Sequence, residues 1–121
     1  MGRQDFINQL SQLGYEVEDL GNNQVAFNYV IPIGRLADQN IRLGFIVGDD
    51  FPANPPSGPH VSPRLLPINP QGGSHPNCGI HESNKFGPEW EYWSRPFPDW
   101  GRTDHTVRTY IAFVRRLFET L

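Results

Sequence analysis

Proline is the residue that most limits how this chain can fold. Seven of the twenty residues from Phe51 to Pro70 are prolines. The pyrrolidine ring fixes φ and removes a backbone donor, so this density excludes a helix and any central strand longer than a few residues. A short edge strand at 58–62 remains compatible with the pattern. The segment therefore predicts long loops through the middle of the chain.

The proline-rich segment also carries apolar side chains, namely Phe51, Val61, Leu65, Leu66 and Ile68. Disordered linkers rarely carry that apolar load. We therefore expect the segment to be ordered and to pack onto a core.

The residues before this segment predict regular structure. Apolar residues recur at helical spacing in 3–13. Residues 15–18 and 25–31 alternate apolar and polar side chains around a Gly-Asn-Asn turn at 21–23, which predicts a hairpin. Residues 41–47 alternate again and add a third strand. The pattern is that of an N-terminal helix followed by an antiparallel β-meander.

The residues after position 90 predict a second packed region. Five aromatic residues fall in 90–100, a cluster more typical of a satellite core that holds long loops than of a peptide-binding surface. Thr103 or Asp104 is expected to cap a C-terminal helix, in which apolar residues trace one face from Val107 to Leu121. With 121 residues the chain is predicted to be one α+β domain, 1–121.

Charge and hydropathy exclude several classes of protein. The formal net charge of -3 argues against nucleic-acid binding, which needs a concentrated cationic face. No run approaches the roughly eighteen apolar residues of a membrane span, and the first residues lack the apolar stretch of a secretory signal. A single cysteine cannot form an internal disulfide, which favours a reducing cytoplasm as the location.

The polar stretch 72–83 concentrates the reactive side chains. It holds the only cysteine, Cys78, with His75 three residues before it and His81 three residues after it. Such a stretch is typical of a nucleophile with a nearby base, of a metal site, or of a structured loop without chemistry. We favour the nucleophile, because the polar and glycine-rich flanks predict an exposed sulfur, and a cationic His81 or clustered loop N–H groups would favour the thiolate.

A zinc site is the alternative that uses the same residues. His75, Cys78 and His81 would supply three ligands, with His60 or Glu82 as a fourth. Three ligands within seven loop residues are geometrically tight, and the usual second pair of ligands is missing. We therefore predict no metal and no other cofactor.

The order of these features resembles the ubiquitin-conjugating (UBC) fold over nearly the whole chain. The matching residues are Asp50-Phe51-Pro52-Ala53-Asn54-Pro55-Pro56, then His75-Pro76-Asn77, Cys78, and the turn Trp93-Ser94-Arg95-Pro96. The chain looks closest to the small prokaryotic relatives of that fold, sometimes called prokaryotic family E. Those relatives are found beside ubiquitin-like proteins, activating-enzyme homologues and deubiquitinase-like peptidases.

The resemblance implies a fold and an activity. The fold would be UBC-like α+β, with an N-terminal helix, an antiparallel meander, long proline-rich and active-site loops, and a C-terminal helix. The activity would be that of a cytoplasmic transferase: Cys78 would accept a ubiquitin-like modifier as a thioester from a ThiF-like activating enzyme and pass it to a protein target. Neither a nucleic acid nor a membrane is an expected partner.

The resemblance also suggests which residues would act and where this chain departs from the pattern. In the best-known enzymes of the fold the His-Pro-Asn triplet lies about eight residues before the cysteine, and its Asn is thought to stabilise the oxyanion. Here Asn77 directly precedes Cys78, so that role does not transfer as it stands. His81 is the candidate base, and Asn77, His75 or backbone amides are the candidate oxyanion donors. The alternative function is a noncatalytic UBC-like scaffold that binds a ubiquitin-like protein or its activating enzyme.

Overall fold

A six-stranded antiparallel sheet forms the centre of the protein in a computed structural model that describes residues 2–121. Its spatial order is β1-β2-β3-β4-β6-β5. The strands are β1 (Val17–Gly21), β2 (Gln24–Val30), β3 (Asn40–Ile46), β4 (Ser57–Ser62), β5 (Ile80–Glu82) and β6 (Glu91–Trp93). The helices are α1 (Arg3–Gln12) and α2 (Val107–Glu119), with a short 3-10 helix at Trp100–Arg102. The α+β class and the two terminal helices are therefore confirmed.

Both α-helices pack on the same face of the sheet. The ring of Phe45, from β3, lies 5.7 Å from that of Phe6 in α1 and 5.4 Å from that of Tyr110 in α2. At the other end of the sheet, Trp93 packs 5.2 Å from Phe118 of α2. Within residues 2–121 no helix has the length and apolar character needed to cross a bilayer.

The proline-rich segment contributes an interior strand, which the sequence prediction excluded. Strand β4 pairs with β3 on one side and with β6 on the other, so it is not at an edge. The prediction was wrong because Pro59 falls where the pairing with β3 shifts register, between the pairs Gly44↔His60 and Ile46↔Ser57. The missing N–H of a proline costs no ladder hydrogen bond at such an irregularity.

The apolar residues of the proline-rich segment do pack onto the core. Phe51, Val61 and Leu66 are buried and Leu65 packs against them, as predicted, whereas Ile68 is 41% exposed. The segment is thus ordered by its side chains over most of its length.

The aromatic cluster at 90–100 is a packed core region, as predicted. Trp93 and Trp100 are buried, and the Trp100 indole donates to the Pro52 carbonyl at 2.8 Å. This contact joins the cluster to the proline-rich segment.

The start of α2 differs from the prediction. Thr106 is its N-cap, since the Thr106 hydroxyl accepts from the Thr109 amide at 3.3 Å. The carboxyl of Asp104 instead accepts from the Thr106 and Thr109 hydroxyls at 2.9 and 2.7 Å. Thr103 or Asp104 was expected because both are good cap residues. The side-chain network that selects Thr106 could not be seen in the pattern.

Candidate functional site

The loop that carries the cysteine, residues 69–79 and here named the Cys78 loop, is fastened to the sheet at both ends. Asn69 and Ile80 exchange two backbone hydrogen bonds of 2.8 Å each. The amide of Ser94, just after β6, donates to the carbonyl of Gly79 at 2.9 Å. These bonds fix the position of both ends of the loop relative to the sheet.

Cys78 itself is partly exposed and has a free thiol. The preceding residue, Asn77, is exposed. Its backbone is held, since its amide donates to the Ser74 carbonyl at 2.8 Å and its carbonyl accepts from the Asn69 side chain. Cys78 therefore lies on a constrained backbone and is partly exposed, and its role as a nucleophile stays a prediction.

His75 has both ring nitrogens occupied. Its Nδ1 atom accepts from Arg95 Nε at 2.8 Å, and its Nε2 atom lies 2.7 Å from the Leu117 carbonyl oxygen of α2. A guanidinium can only donate and a carbonyl can only accept, so the ring is neutral with its proton on Nε2. Burial lowers the pKa of His75, the bond to Leu117 raises it, and the charge of Arg95 lowers it. His75 therefore anchors the loop, and its ring has no free N–H for an oxyanion.

Arg95 is the charged residue that the structure brings to the cysteine and that the sequence did not identify as a site residue. Its Nη1 atom donates to the Ser94 carbonyl at 2.9 Å, and a Cβ added at Gly79, next to Cys78, would lie 3.1 Å from that Nη1. Burial lowers the Arg95 pKa, and the charge interaction with Cys78 raises it. Seventeen residues separate Arg95 from Cys78, and no pattern in the chain links them.

His81 lies on a different face from these residues. It pairs with Tyr92 across β5 and β6, and the two rings are 5.7 Å apart. Its neighbour Ile80 pairs with Trp93, which packs under α2. Because side chains alternate across a strand, His81 projects on the face away from α2. No hydrogen bond joins His81 to Cys78 in the part of the chain that the structure describes, and its role as the base stays a prediction.

The face away from α2 carries a buried histidine. His60, directly opposite Tyr92 in the ladder, is 4% exposed and lies between the rings of Phe86 and Tyr92 at 4.5 and 4.8 Å. Its Nδ1 atom is 2.9 Å from the Ser83 hydroxyl oxygen. Burial lowers the pKa of His60 to about 4, so the ring is neutral at pH 7.

The ligands proposed for zinc are not gathered. Within residues 2–121, no group of three or more His, Cys, Asp or Glu side chains is arranged to hold a metal ion. Both nitrogens of His75 are already engaged, and the Nδ1 atom of His60 lies against the Ser83 hydroxyl.

A scan against protein-family models and searches of curated proteins and of solved structures found no match for this chain.

Proposed function

We propose that this chain is a ubiquitin-conjugating-enzyme-like transferase of the UBC fold, in which Cys78 carries a ubiquitin-like modifier as a thioester. The observation that carries the proposal is the placement of the sulfur. Cys78 is partly exposed on a loop that is fastened to the sheet and to α2, within the helix, meander, loop and helix order that the resemblance implies. A partly exposed cysteine on an anchored loop is compatible with acylation by the tail of another protein.

The proposed reaction has two acyl transfers. The Cys78 thiolate attacks the C-terminal carbonyl carbon of the modifier, held as a thioester on a ThiF-like activating enzyme, and the thiolate of that enzyme leaves. An amine of the target protein then attacks the new thioester. The bond between the acyl carbon and Cys78 Sγ breaks, and the sulfur leaves as a thiolate. The attacking amine loses a proton to a base. We place this reaction in the cytoplasm, where a lone thiol stays reduced.

A noncatalytic scaffold is the second candidate, and one observation favours it. His75 has no free nitrogen, and His81 lies on the other face of the sheet from Trp93 and makes no hydrogen bond to Cys78 among residues 2–121. A scaffold would hold a ubiquitin-like protein or its activating enzyme and would need no imidazole beside the thiol.

The two candidates are separated by a thioester assay. The protein is incubated with ATP, a ubiquitin-like protein and a ThiF-like activating enzyme, and the products are run on a nonreducing gel. A transferase gives a band at the summed mass that a reducing agent removes. The Cys78→Ala variant gives no such band, and Cys78→Ser gives a band that resists reduction if the serine is acylated. A scaffold gives no covalent band with the wild-type protein, and its Cys78→Ala variant still binds the partner.

A further inference from the structure

One donor group of the Arg95 guanidinium has no acceptor within the described residues. A guanidinium has five N–H donors. Nε donates to His75 and Nη1 donates to the Ser94 carbonyl. Nη2 is buried and has no partner in the part of the chain that the structure describes. A buried, charged donor without an acceptor is costly, so such a group in a native fold calls for an explanation.

The position of the guanidinium suggests which acceptor it serves. Its Nη1 edge lies against Gly79, the residue that follows Cys78: a Cβ added at Gly79 would be 3.1 Å from Nη1. Gly79 has a φ of +62°, a conformation that favours glycine, and the absence of a side chain there leaves room for the guanidinium. An acyl group on the sulfur would have its carbonyl oxygen two bonds from Sγ, within the neighbourhood of this positive charge.

The guanidinium is also held in advance of any reaction. His75 Nδ1 accepts a hydrogen bond from Arg95 Nε, and His75 Nε2 donates to the Leu117 carbonyl in the last turn of α2. Donors that are fixed before the reaction stabilise a developing charge without reorganising during it. Arg95 is thus a cation held in place beside Gly79, the residue that follows Cys78.

We infer that Arg95 binds the negative oxygen that forms on an acyl group attached to Cys78. When the amine attacks the thioester carbon, the C=O electron pair moves to the oxygen, and Arg95 donates to that oxyanion. The C=O bond then re-forms as the C–S bond breaks and the thiolate leaves. This inference rests on the proposed function and gives Arg95 the role that was left open between Asn77, His75 and backbone amides. His75 is then a positioning residue that acts through Arg95.

The first test reads the charge of Arg95 without any modifier. Cys78 displaces iodide from iodoacetate, which is anionic, and from iodoacetamide, which is neutral. The measured quantity is the rate with iodoacetate divided by the rate with iodoacetamide. This ratio reports the electrostatic potential near the sulfur, because any change in thiolate content affects both reagents equally. We expect the ratio to fall about three- to tenfold in Arg95→Gln and to remain near wild type in Arg95→Lys. The matched control is Arg102→Gln, which removes an exposed arginine and should leave the ratio unchanged.

Salt provides a second reading that needs no variant. Raising the ionic strength from about 0.01 M to about 1 M shortens the screening length from about 30 Å to about 3 Å. The wild-type ratio should fall over this range, so the inference remains testable if Arg95→Gln does not fold. An equal ratio in wild type and Arg95→Gln, or a wild-type ratio independent of salt, would overturn the inference.

The third test uses the reaction itself. Discharge of the Cys78 thioester to an amine should slow by about 10²-fold in Arg95→Gln, as for the loss of one oxyanion donor, and be partly restored in Arg95→Lys. His75→Ala should slow discharge less, because it loosens the guanidinium without removing it. If wild type forms no thioester, the proposed function fails while the alkylation ratio still reports on Arg95. If the thioester forms and Arg95→Gln discharges at the wild-type rate, the inference about Arg95 fails alone.

Discussion

The Nε2 nitrogen of His75 donates to the carbonyl oxygen of Leu117 at 2.7 Å, across 42 residues of sequence. Leu117 lies in the last turn of α2, where carbonyl groups lack the amide that would continue the helix. The imidazole therefore joins the Thr120 hydroxyl as a donor to the Leu117 carbonyl and, through Nδ1, holds Arg95 beside the Cys78 loop. The helix and the loop are joined by this side chain.

Removing that imidazole should loosen the loop. We expect His75→Ala to lower the free energy of unfolding by about 1–3 kcal/mol, because the Leu117 carbonyl and Arg95 Nε both lose a partner. The backbone amides of Asn77 and Gly79 should exchange with solvent faster. Urea unfolding and amide hydrogen exchange measure the two effects. Ser74→Ala is the matched control on the same loop, since Ser74 is exposed. Equal exchange in both variants would contradict the anchoring role.

Acid should destabilise the protein through His60. Burial lowers the pKa of His60 to about 4 in the folded state, against about 6.5 in the unfolded chain. As the pH falls from about 6.5 towards 4, the unfolded chain takes the proton and the folded chain does not, so the free energy of unfolding decreases. The full effect is on the order of 3 kcal/mol. The lowered pKa of His75 acts with the same sign.

Urea midpoints between pH 7 and pH 4 test the role of His60. His60→Asn should flatten the dependence on pH, whatever its effect on stability at pH 7. Ser83→Ala removes the partner of His60 but leaves the buried ring, so it should keep the wild-type slope. A His60→Asn slope as steep as wild type would place the acid sensitivity elsewhere.

Glu91 should be among the residues whose loss costs most stability. It is fully buried, and its Oε1 atom accepts from the amides of Leu65 and Leu66 at 2.8 and 2.9 Å and from the Trp93 indole at 2.9 Å. Glu91→Ala leaves three donors without an acceptor, and we expect a loss of about 3–5 kcal/mol in the free energy of unfolding.

The variant Glu91→Gln distinguishes the contribution of these hydrogen bonds from that of burying the side chain. Its amide oxygen can still accept the three bonds, so it should cost less than Glu91→Ala in the same urea titration. Glu89→Ala, two residues earlier and exposed, should change stability by less than about 0.5 kcal/mol. If Gln and Ala cost the same at position 91, the hydrogen bonds are not the source of the effect.

The predicted base is tested by the discharge rate. A general base contributes about 10²- to 10⁴-fold, so His81→Asn should slow transfer from Cys78 to a free amine by at least about 10²-fold. Ser74→Ala, an exposed position on the Cys78 loop, is the comparison for an effect of loop disturbance alone. An unchanged rate in His81→Asn would mean that solvent or the target removes the proton.

The sequence pattern predicted a helix or strand correctly where one side-chain period continued over the whole element. The helix predicted at 3–13 is α1, and the three alternating segments up to Val47 are β1, β2 and β3 in that order. It was insufficient for β5 and β6, which have three residues each and are too short to show a period. It was also misleading for β4, where the cost of proline depends on the partner strand and not on the segment itself.

The sequence by itself determined the α+β class, the terminal helices, and the placement of the one cysteine in a polar, glycine-rich loop. These follow from periodicity and turn chemistry, which act between residues near one another in the chain. Only the tertiary structure decided that Arg95 lies beside the Cys78 loop and that both ring nitrogens of His75 are hydrogen-bonded. It also decided that His81 projects from the face of the sheet away from α2. Those relationships depend on how β5, β6 and α2 pack together. Contacts between residues so far apart in the chain produce no spacing pattern by which the sequence could predict them.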